Sequence, residues 1–410
     1  MILYDTGSWA GLIFKYKGTV WREIWWKVLL IGTYTCASYA FCAHIGFNLG
    51  KTKSNILGST LSFLLVFRAN NAYSRYWQGR TLLTHFFALL REIASFSCMF
   101  LLGGQRGKRW RWRYTQPLTR EELKNLTDVG DDIVSEMRTD ICRWVLAMGL
   151  SLQMHTRILD ELNHGAMSRE TKFLVDWDRY RIRQLTTRTE FEELDHLIRN
   201  LALPRSLWDD CPLKDIRGFA KPYEHGSGPP EDTPEEIEIS TVPGIRLPVA
   251  VLYKLNAVLF RTMNDARAQD KPFAMIERFI PIFSKLSLTL IKTFSLINQI
   301  VSTPLPFPYF HLCKTLMFTF FISFPFFIQF ELGLWANVGE LVCLSVALLG
   351  VDAIATELED PFGDDDNDLD IYNKVSSIEH EVMFLLELCG DYKAQKNFTW
   401  VDMPEELTQE

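Results

Sequence analysis

The sequence lacks the short signatures on which most enzyme assignments depend. It has no Gly-rich phosphate loop, no Gly-x-Ser-x-Gly motif and no ordering of Ser, His and Asp typical of a hydrolase. Its eight cysteines form no Cys-x-x-Cys pair and have no zinc spacing, and "HEVMF" at His380 lacks the second histidine of a zinc protease. We therefore predict that the protein is not an enzyme and has no disulfide framework; the cysteines are typical of small buried residues.

An excess of positive charge is also missing. The 410 residues contain 43 Lys and Arg against 50 Asp and Glu, a formal net charge of −7 with a pI near 5.7. A nucleic-acid partner is therefore not expected. Mean hydropathy is close to zero although 23% of the residues are charged, so apolar residues must be concentrated in particular segments.

Four segments without Asp, Glu, Lys and Arg are the candidates for membrane crossings. They are Val28–Gly50 (23 residues), Ser54–Phe67 (14), Thr315–Phe330 (16) and Leu341–Val351 (11). Only the first reaches the roughly 20 residues that a transmembrane helix needs. The other three end in a charge, at Arg68, Glu331 and Asp352 respectively. Shorter segments of this kind can cross a bilayer if their polar side faces protein or water, so we predict four crossings.

The alternative to a membrane protein is a soluble helical protein with very apolar core helices. The segment "MFTFFISFPFFIQF" (317–330) is apolar all round and contains Pro325, which argues against that alternative. Basic residues flank the first segment (Lys15, Lys17, Arg22, Lys27) and follow the second, which favours cytosolic termini. No cleavable signal or transit peptide is expected, and the cell's surface membrane is favoured.

Composition and periodicity divide the chain into four predicted parts. Residues 1–80 hold the first two crossings, 81–302 form a cytosolic helical domain, 303–358 hold the last two crossings, and 359–410 form an acidic segment with a C-terminal helix. A Pro-, Gly- and Glu-rich insert, 221–244, interrupts the cytosolic domain. The basic and aromatic stretch 107–116 is either a membrane-interface anchor or a solvated loop. The predicted fold class is all-α.

The second apolar segment contains a stripe of residues at helical spacing. Ser59, Phe63 and Phe67 are four residues apart and so share one helix face, which continues towards Asn70 and Ser74. Two rings followed by polar residues are typical of a narrow apolar constriction that opens into a polar vestibule. Ordinary packing between helices is the alternative interpretation.

The run "FLLVFRANNAYSRYWQGR" resembles the signature of the bestrophin family in its bacterial and fungal branch. "TPLPFPYFHLCKTL" (303–316) and "LGVDAIATELEDPFGDDDNDLDI" (349–371) resemble further motifs of that family, and the three occur in the family's order. The signature residues after the second crossing are Arg68, Asn70, Tyr73, Arg75 and Trp77.

The resemblance implies a homopentamer around one axial pore that conducts chloride or other small anions through the bilayer. It assigns the pore neck to Ser59, Phe63 and Phe67, the same stripe that the spacing indicates. Ser59 departs from the aliphatic residue usual in the family and should make the outer ring easier to wet. A cytosolic aperture is implied near Met275–Ile280, where Ile276 is the candidate residue.

The acidic run "EDPFGDDDNDLD" follows the fourth crossing. It is not an EF-hand, because the spacing from Asp364 places Leu369 where the loop needs Gly. No cofactor is required, but calcium is a candidate ligand: matching the run to calcium-gated relatives implicates Asp365 and Asp368. A solvated acidic turn is the alternative.

Two other functions remain open. The acidic run and the negative net charge fit a cation-permeable channel of the same architecture. A membrane-anchored helical scaffold without a pore is the second alternative, with the long middle part as its working region.

Overall fold

The computed structural model describes most of the predicted helical regions. The described residues are 18–45, 54–101, 131–164, 169–199, 246–264, 280–303, 305–327, 333–363 and 367–389. Within these ranges the structure is helical and contains no β-strand. The insert 221–244, the stretch 107–116, Ile276 and Asp365 lie outside the described residues.

Ten α-helices follow one another along the described ranges. They are α1 (Trp21–Ile45), α2 (Ser54–Phe100), α3 (Asp131–His164), α4 (Arg169–Leu185), α5 (Arg188–Arg199), α6 (Arg246–Asn264), α7 (Ile280–Ser302), α8 (Phe307–Ser323), α9 (Gly333–Glu359) and α10 (Ile371–Cys389). The chain divides into two compact units. One consists of residues 1–81 and 299–370, and the other of residues 82–298 and 371–410.

Four stretches of the described chain are long and apolar enough to cross a membrane, judged by length and composition. They are Trp21–Ile45, Gly58–Met99, Ile280–Phe326 and Gly333–Glu359. The prediction of an all-α protein with four membrane-crossing segments is therefore confirmed.

The helices extend well beyond the charge-free segments. Helix α2 starts at Ser54 but does not end at Arg68; it continues for 47 residues to Phe100. At 1.5 Å per residue it is about 70 Å long, more than twice the roughly 30 Å of a bilayer's hydrocarbon core. Helix α9 likewise begins before Leu341 and runs through Asp352 to Glu359. Charge marks the end of an apolar run but does not end a helix.

The third crossing differs in its bounds from the predicted segment 315–330 because prolines set both of its ends. Helix α8 begins at Phe307, after Pro306 at the N-cap, and Pro308 lies in its first turn, where a missing N–H costs nothing. It ends at Ser323, and Phe324–Phe326 form a 3₁₀ turn around Pro325. The helical segment therefore starts several residues earlier than the apolar run.

The first unit has an apolar core built from α1, α2, α8 and α9. Leu61 and Leu65 of α2 pack in it with Phe320 of α8 and Leu341 of α9, and all four are almost fully buried. Ile24 of α1 belongs to the same cluster. One face of α2 is thus held inside the unit, and the opposite face is left outside this core.

Gly79 of α2 allows the chain after α9 to pack directly against the helix. A Cβ at this position would lie 3.1 Å from Cγ of Pro361 and 3.2 Å from Cε2 of Phe362. The Phe362 ring is 1% exposed, so it has little room to move away. Nearby, the hydroxyl of Tyr76 donates to the carbonyl of Asn367 at 3.2 Å.

We expect Gly79→Ala to lower the free energy of unfolding by about 1–3 kcal/mol, because the new methyl group overpacks the contact with Pro361 and Phe362. Gly350→Ala is the matched control. Nothing lies within 4 Å of a Cβ there, so loss of backbone freedom in the unfolded chain should stabilise α9 by about 0.5–1 kcal/mol. Thermal unfolding in detergent compares the two variants, and equal shifts would contradict the packing assigned to Gly79.

The second unit is organised around α3. This helix packs against α4, α6 and α10, and every side chain from Ile141 to Thr156 is buried except that of Arg143. A helix with apolar residues on one face alone cannot be buried in this way, and two of the buried polar side chains of α3 contact neighbouring helices. Gln153 donates to Asp178 at 3.2 Å, and His155 contacts Asn298 at 2.8 Å.

Helix α5 begins with a capping box that also holds α3. The backbone N–H of Thr187 donates to Glu190 Oε2 at 3.0 Å, the reciprocal contact of a Thr-x-x-Glu start. Both oxygens of Glu190 accept from the guanidinium of Arg143, at 2.6 and 3.0 Å. Burial alone would raise the pKa of Glu190, but the hydrogen bonds from Arg143 and Thr187 outweigh it and lower the pKa to about 2.

This lowered pKa predicts how stability depends on pH. The contribution of Glu190 is complete above its ordinary pKa of 4.5 and is lost as the pH falls towards about 2. Glu190→Gln should therefore lower the unfolding midpoint at pH 7, and its difference from the unmodified protein should shrink between pH 4.5 and pH 3.

Glu192→Gln is the control for Glu190→Gln, because Glu192 forms an ion pair with the exposed Arg188, its neighbour on the same helix. Its midpoint should follow that of the unmodified protein at every pH. A Glu190→Gln difference that stays constant down to pH 3 would contradict the assignment.

Candidate functional site

The predicted stripe lies on the face of α2 that points away from the core of its unit. Ser59 is exposed, and the Phe63 and Phe67 side chains are 71% and 51% exposed, whereas Leu61 and Leu65 between them are buried. Large apolar rings left this open on a membrane helix meet lipid, another copy of the chain or a pore. The contacts within one chain do not hold them in the core.

The Phe67 ring is fixed on one edge by Tyr309, which sequence reasoning did not single out. The two ring centroids are 6.5 Å apart and the rings are nearly perpendicular, an edge-to-face contact. The Tyr309 hydroxyl donates to the backbone carbonyl of Leu64 at 3.2 Å, which ties the start of α8 to α2. The position of Phe67 is thus set by a neighbouring helix.

Arg68 lies on the opposite side of α2 and is completely buried. At 100° per residue, the step from Phe63 to Arg68 turns the side chain about 140° away from the stripe. A guanidinium in an apolar environment requires partners for its charge and its donors.

Helix α9 supplies these partners. Arg68 Nε donates to Glu359 Oε1 at 2.6 Å, Nη2 donates to Thr356 Oγ1 at 3.1 Å, and Nη1 donates to a carboxylate oxygen of Asp352. Asp352, Thr356 and Glu359 are three and four residues apart, so they share one face of α9. Arg68 therefore pins α2 to α9 in a single register.

Helix α8 contributes the second cation of this cluster. Lys314 Nζ donates to the other carboxylate oxygen of Asp352. The Phe310 ring lies beneath both charges, with its centroid 4.7 Å from Arg68 Cζ and 5.1 Å from Lys314 Nζ. Two cations and two carboxylates cancel, so Arg68, Lys314, Asp352 and Glu359 form a neutral group, here called the charge cluster.

Arg75 lies two turns after Arg68 and on the same side of α2. Its guanidinium donates to the carbonyl of Thr303 at 2.6 Å and to the carbonyl of Ile300. These carbonyls belong to the last turn of α7 and the residue after it, where a helix leaves acceptors unpaired and favours a positive charge. Arg75 therefore acts as a cap for α7.

The remaining signature residues face outward. Asn70 is exposed, and the Tyr73 and Trp77 side chains are 55% and 52% exposed. Their rings stack with centroids 6.4 Å apart, and the guanidinium of Arg80 lies 5.3 Å from the Trp77 ring centroid. The signature thus contains two groups. The buried Arg68 and the half-buried Arg75 position α2, and Asn70, Tyr73 and Trp77 are exposed.

The acidic run is only partly described. Asp368 is buried, at 5% exposure, and so differs from a solvated turn; Asp365 lies outside the described residues. The Asn367 side chain donates to the carbonyl of Gly18 at 3.2 Å and to Glu357 at 3.1 Å. Among the described residues, no three His, Cys, Asp or Glu side chains are arranged to hold a metal ion. Calcium binding stays a prediction.

Sequence reasoning did not connect the charge cluster. Asp352 was noted only as the end of an apolar run, and Glu359 only as the first carboxylate of the acidic run. The signal was present in the sequence: an arginine ends one short apolar segment and an aspartate ends another. Opposite charges at the ends of two membrane segments are expected to meet, because neither can remain unpaired in lipid.

These features define a helical integral membrane protein whose second helix is anchored by buried charges and exposes an uncharged face. A sequence model of the bacterial/fungal bestrophin proteins matches residues 1–171 and 245–383. The chain belongs to this family.

Two curated relatives match part of the chain. A voltage-dependent anion channel-forming protein of Ralstonia nicotianae is 34% identical over 103 residues, which cover 25% of this chain and 33% of the relative. A protein of the same description from Salmonella typhi is 33% identical over 86 residues, 21% of this chain and 28% of the relative. The chain spans about a third of the length of the relatives it matches.

Solved structures agree with the fold over most of the chain. A bacterial bestrophin homolog from Klebsiella pneumoniae has a TM-score of 0.56 at 16% identity, over 89% of this chain and 99% of the homolog. A mutant of a Klebsiella pneumoniae homolog has a TM-score of 0.55 at 17% identity, over 88% and 98%. At this identity the likeness establishes the fold.

We expect Arg68→Gln to lower the free energy of unfolding by about 3–5 kcal/mol, because it leaves Asp352 and Glu359 buried with only one cation. Arg80→Gln on the exposed side of the same helix is the matched control and should change stability by less than about 1 kcal/mol. Chemical unfolding in detergent, followed by tryptophan fluorescence, measures both variants. Equal stability of the two would show that the charge cluster does not anchor α2.

Proposed function

We propose that the protein is an anion channel that assembles as a homopentamer around one axial pore. In this proposal Ser59, Phe63 and Phe67 of five copies of α2 form the neck, and chloride is the principal ion. The observation that carries the proposal is the open aromatic face of α2, opposite the buried Arg68. The chain's own core does not cover this face. In a pentamer, the same face of α2 in the other subunits would lie opposite it around the pore.

The neck supports selection by dehydration. Phe63 and Phe67 present no charge, and the side chains that follow on the same face, Asn70 and Ser74, are polar and uncharged. A narrow apolar ring resists wetting, so an ion must shed water to pass. Large anions lose hydration water more readily than small, strongly hydrated cations, and such a neck therefore favours anions.

The charge cluster also favours anions over cations. A cation channel of this architecture would use carboxylates exposed to the ion path. Asp352 and Glu359 are instead neutralised by Arg68 and Lys314 on the other side of α2, and Asp368 is buried. These three carboxylates are therefore not placed to form a cation-binding ring. The names of the Ralstonia and Salmonella relatives, both anion channel-forming proteins, agree with this choice.

The cell's surface membrane is the proposed location. Calcium, if it acts, would do so through the acidic run at Asp365 and Asp368, and the channel requires no other cofactor in this proposal. No catalytic step is proposed for the chain.

We expect Phe63→Ala combined with Phe67→Ala to raise single-channel conductance several-fold in planar bilayers, because removing both rings widens and wets the neck. Phe318→Ala is the matched control: its ring is 67% exposed but lies on α8, so conductance should stay unchanged. Both variants must retain the oligomer size of the unmodified protein in detergent.

The reversal potential measured under a KCl gradient shows whether chloride or potassium carries the current. A value near the chloride potential supports the proposal, and a value near the potassium potential would assign the pore to cations. A folded protein that gives no flux, with or without micromolar calcium, and that remains a monomer or dimer would support the scaffold alternative. Unchanged conductance in the double variant would remove Phe63 and Phe67 from the neck.

A further inference from the structure

Three cysteines that are far apart in the sequence meet in the second unit. Cys98 lies in the last turn of α2, Cys142 in the middle of α3, and Cys389 is the last residue of α10. None of the three is in a disulfide in the structure. Neither the family match nor the proposed pore gives them a role.

Cys98 is the centre of this group. Its thiol is in hydrogen-bonding contact with the thiols of both Cys142 and Cys389. The Cys389 thiol also donates to the backbone carbonyl of Cys98 at 3.6 Å, so its side chain lies over the last turn of α2. Cys98 and Cys389 are therefore neighbours in space, which a disulfide between them requires.

Exposure distinguishes the three thiols. Cys142 is fully buried and Cys98 is 5% exposed, whereas Cys389 is only half-buried. Burial shields the first two thiols from oxidants in solution, whereas a half-buried thiol is accessible to them. An oxidant therefore reaches Cys389 first, and Cys98 is the thiol placed to react with the product.

We propose that Cys98 and Cys389 form a reversible disulfide when the protein meets a peroxide. This site is independent of the proposed pore. It is a modification site that joins the C-terminal end of α2 to the C-terminal end of α10.

Peroxide oxidises the two thiols to a disulfide in two steps. The Cys389 sulfur attacks one oxygen of hydrogen peroxide, the O–O bond breaks, and the products are a Cys389 sulfenic acid and one water. The Cys98 sulfur then attacks the Cys389 sulfur, the S–O bond breaks, and the hydroxyl leaves with the thiol proton as a second water. Two thiols are oxidised by two electrons in total, and one peroxide is reduced to two waters.

The half-buried position of Cys389 makes the bond reversible. A cellular thiol reductant attacks the Cys389 sulfur, the Cys98–Cys389 bond breaks, and Cys98 leaves as a thiol while Cys389 is held in a mixed disulfide. A second reductant thiol attacks the reductant sulfur of that mixed disulfide, which releases Cys389 as a thiol and leaves the two reductant molecules joined as a disulfide. The accessible side of the bond thus fits a transient bond better than a permanent one.

The test is peptide mapping of the purified full-length protein. After treatment with hydrogen peroxide, the protein is denatured, alkylated with N-ethylmaleimide and digested without reductant. We expect one cross-linked peptide pair containing Cys98 and Cys389, lighter by two hydrogen atoms than the sum of the reduced peptides and absent after dithiothreitol. The oxidised protein should also unfold at a higher temperature than the reduced protein, since the bond constrains the unfolded chain.

Two variants sharpen the result. Cys343→Ser removes an exposed thiol of α9 and should leave the cross-link intact. Cys389→Ser should abolish both the cross-link and the peroxide-dependent rise in unfolding temperature. The proposal fails if Cys98 pairs mainly with Cys142, if Cys389 is oxidised to sulfinic or sulfonic acid while Cys98 stays reduced, or if all three thiols remain open to alkylation after peroxide.

Discussion

The burial of one guanidinium constrains the membrane part of this protein. Arg68 sits in an apolar helix and cannot remain unpaired in a medium without water. Its partners come from α9, and the two carboxylates would leave an excess negative charge without Lys314 of α8. Three membrane helices are therefore held in one register by a neutral group of charges, with the Phe310 ring against both cations.

The charge cluster also fixes the direction in which Phe63 and Phe67 of the proposed neck point. With Arg68 turned into the unit, helix geometry turns Phe63 and Phe67 outward, and Arg75 repeats the constraint two turns later by capping α7. Arg68 and Arg75 therefore face the first unit rather than the exposed side of α2. Because these two arginines are paired within the unit, the helix continues past the apolar run without a turn.

Much of the architecture could be predicted from the sequence. Charge-free runs and their spacing predicted four crossings, and motif order predicted the family, because both depend on local pattern. The extent of α9 was underestimated because a paired charge does not stop a helix. The charge cluster and the contact between Tyr309 and Phe67 depend on which helices are neighbours. In a single sequence, the opposite charges of Arg68 and Asp352 are the main indication that their helices are neighbours.

The segment after α9 is fastened on both sides of residues 364–366. Phe362 is seated on Gly79, and Asn367 is tied to the Gly18 carbonyl and to Glu357. Both contacts tie this part of the chain to the first unit: Phe362 to α2 through Gly79, and Asn367 to the residues before α1 through Gly18 and to α9 through Glu357.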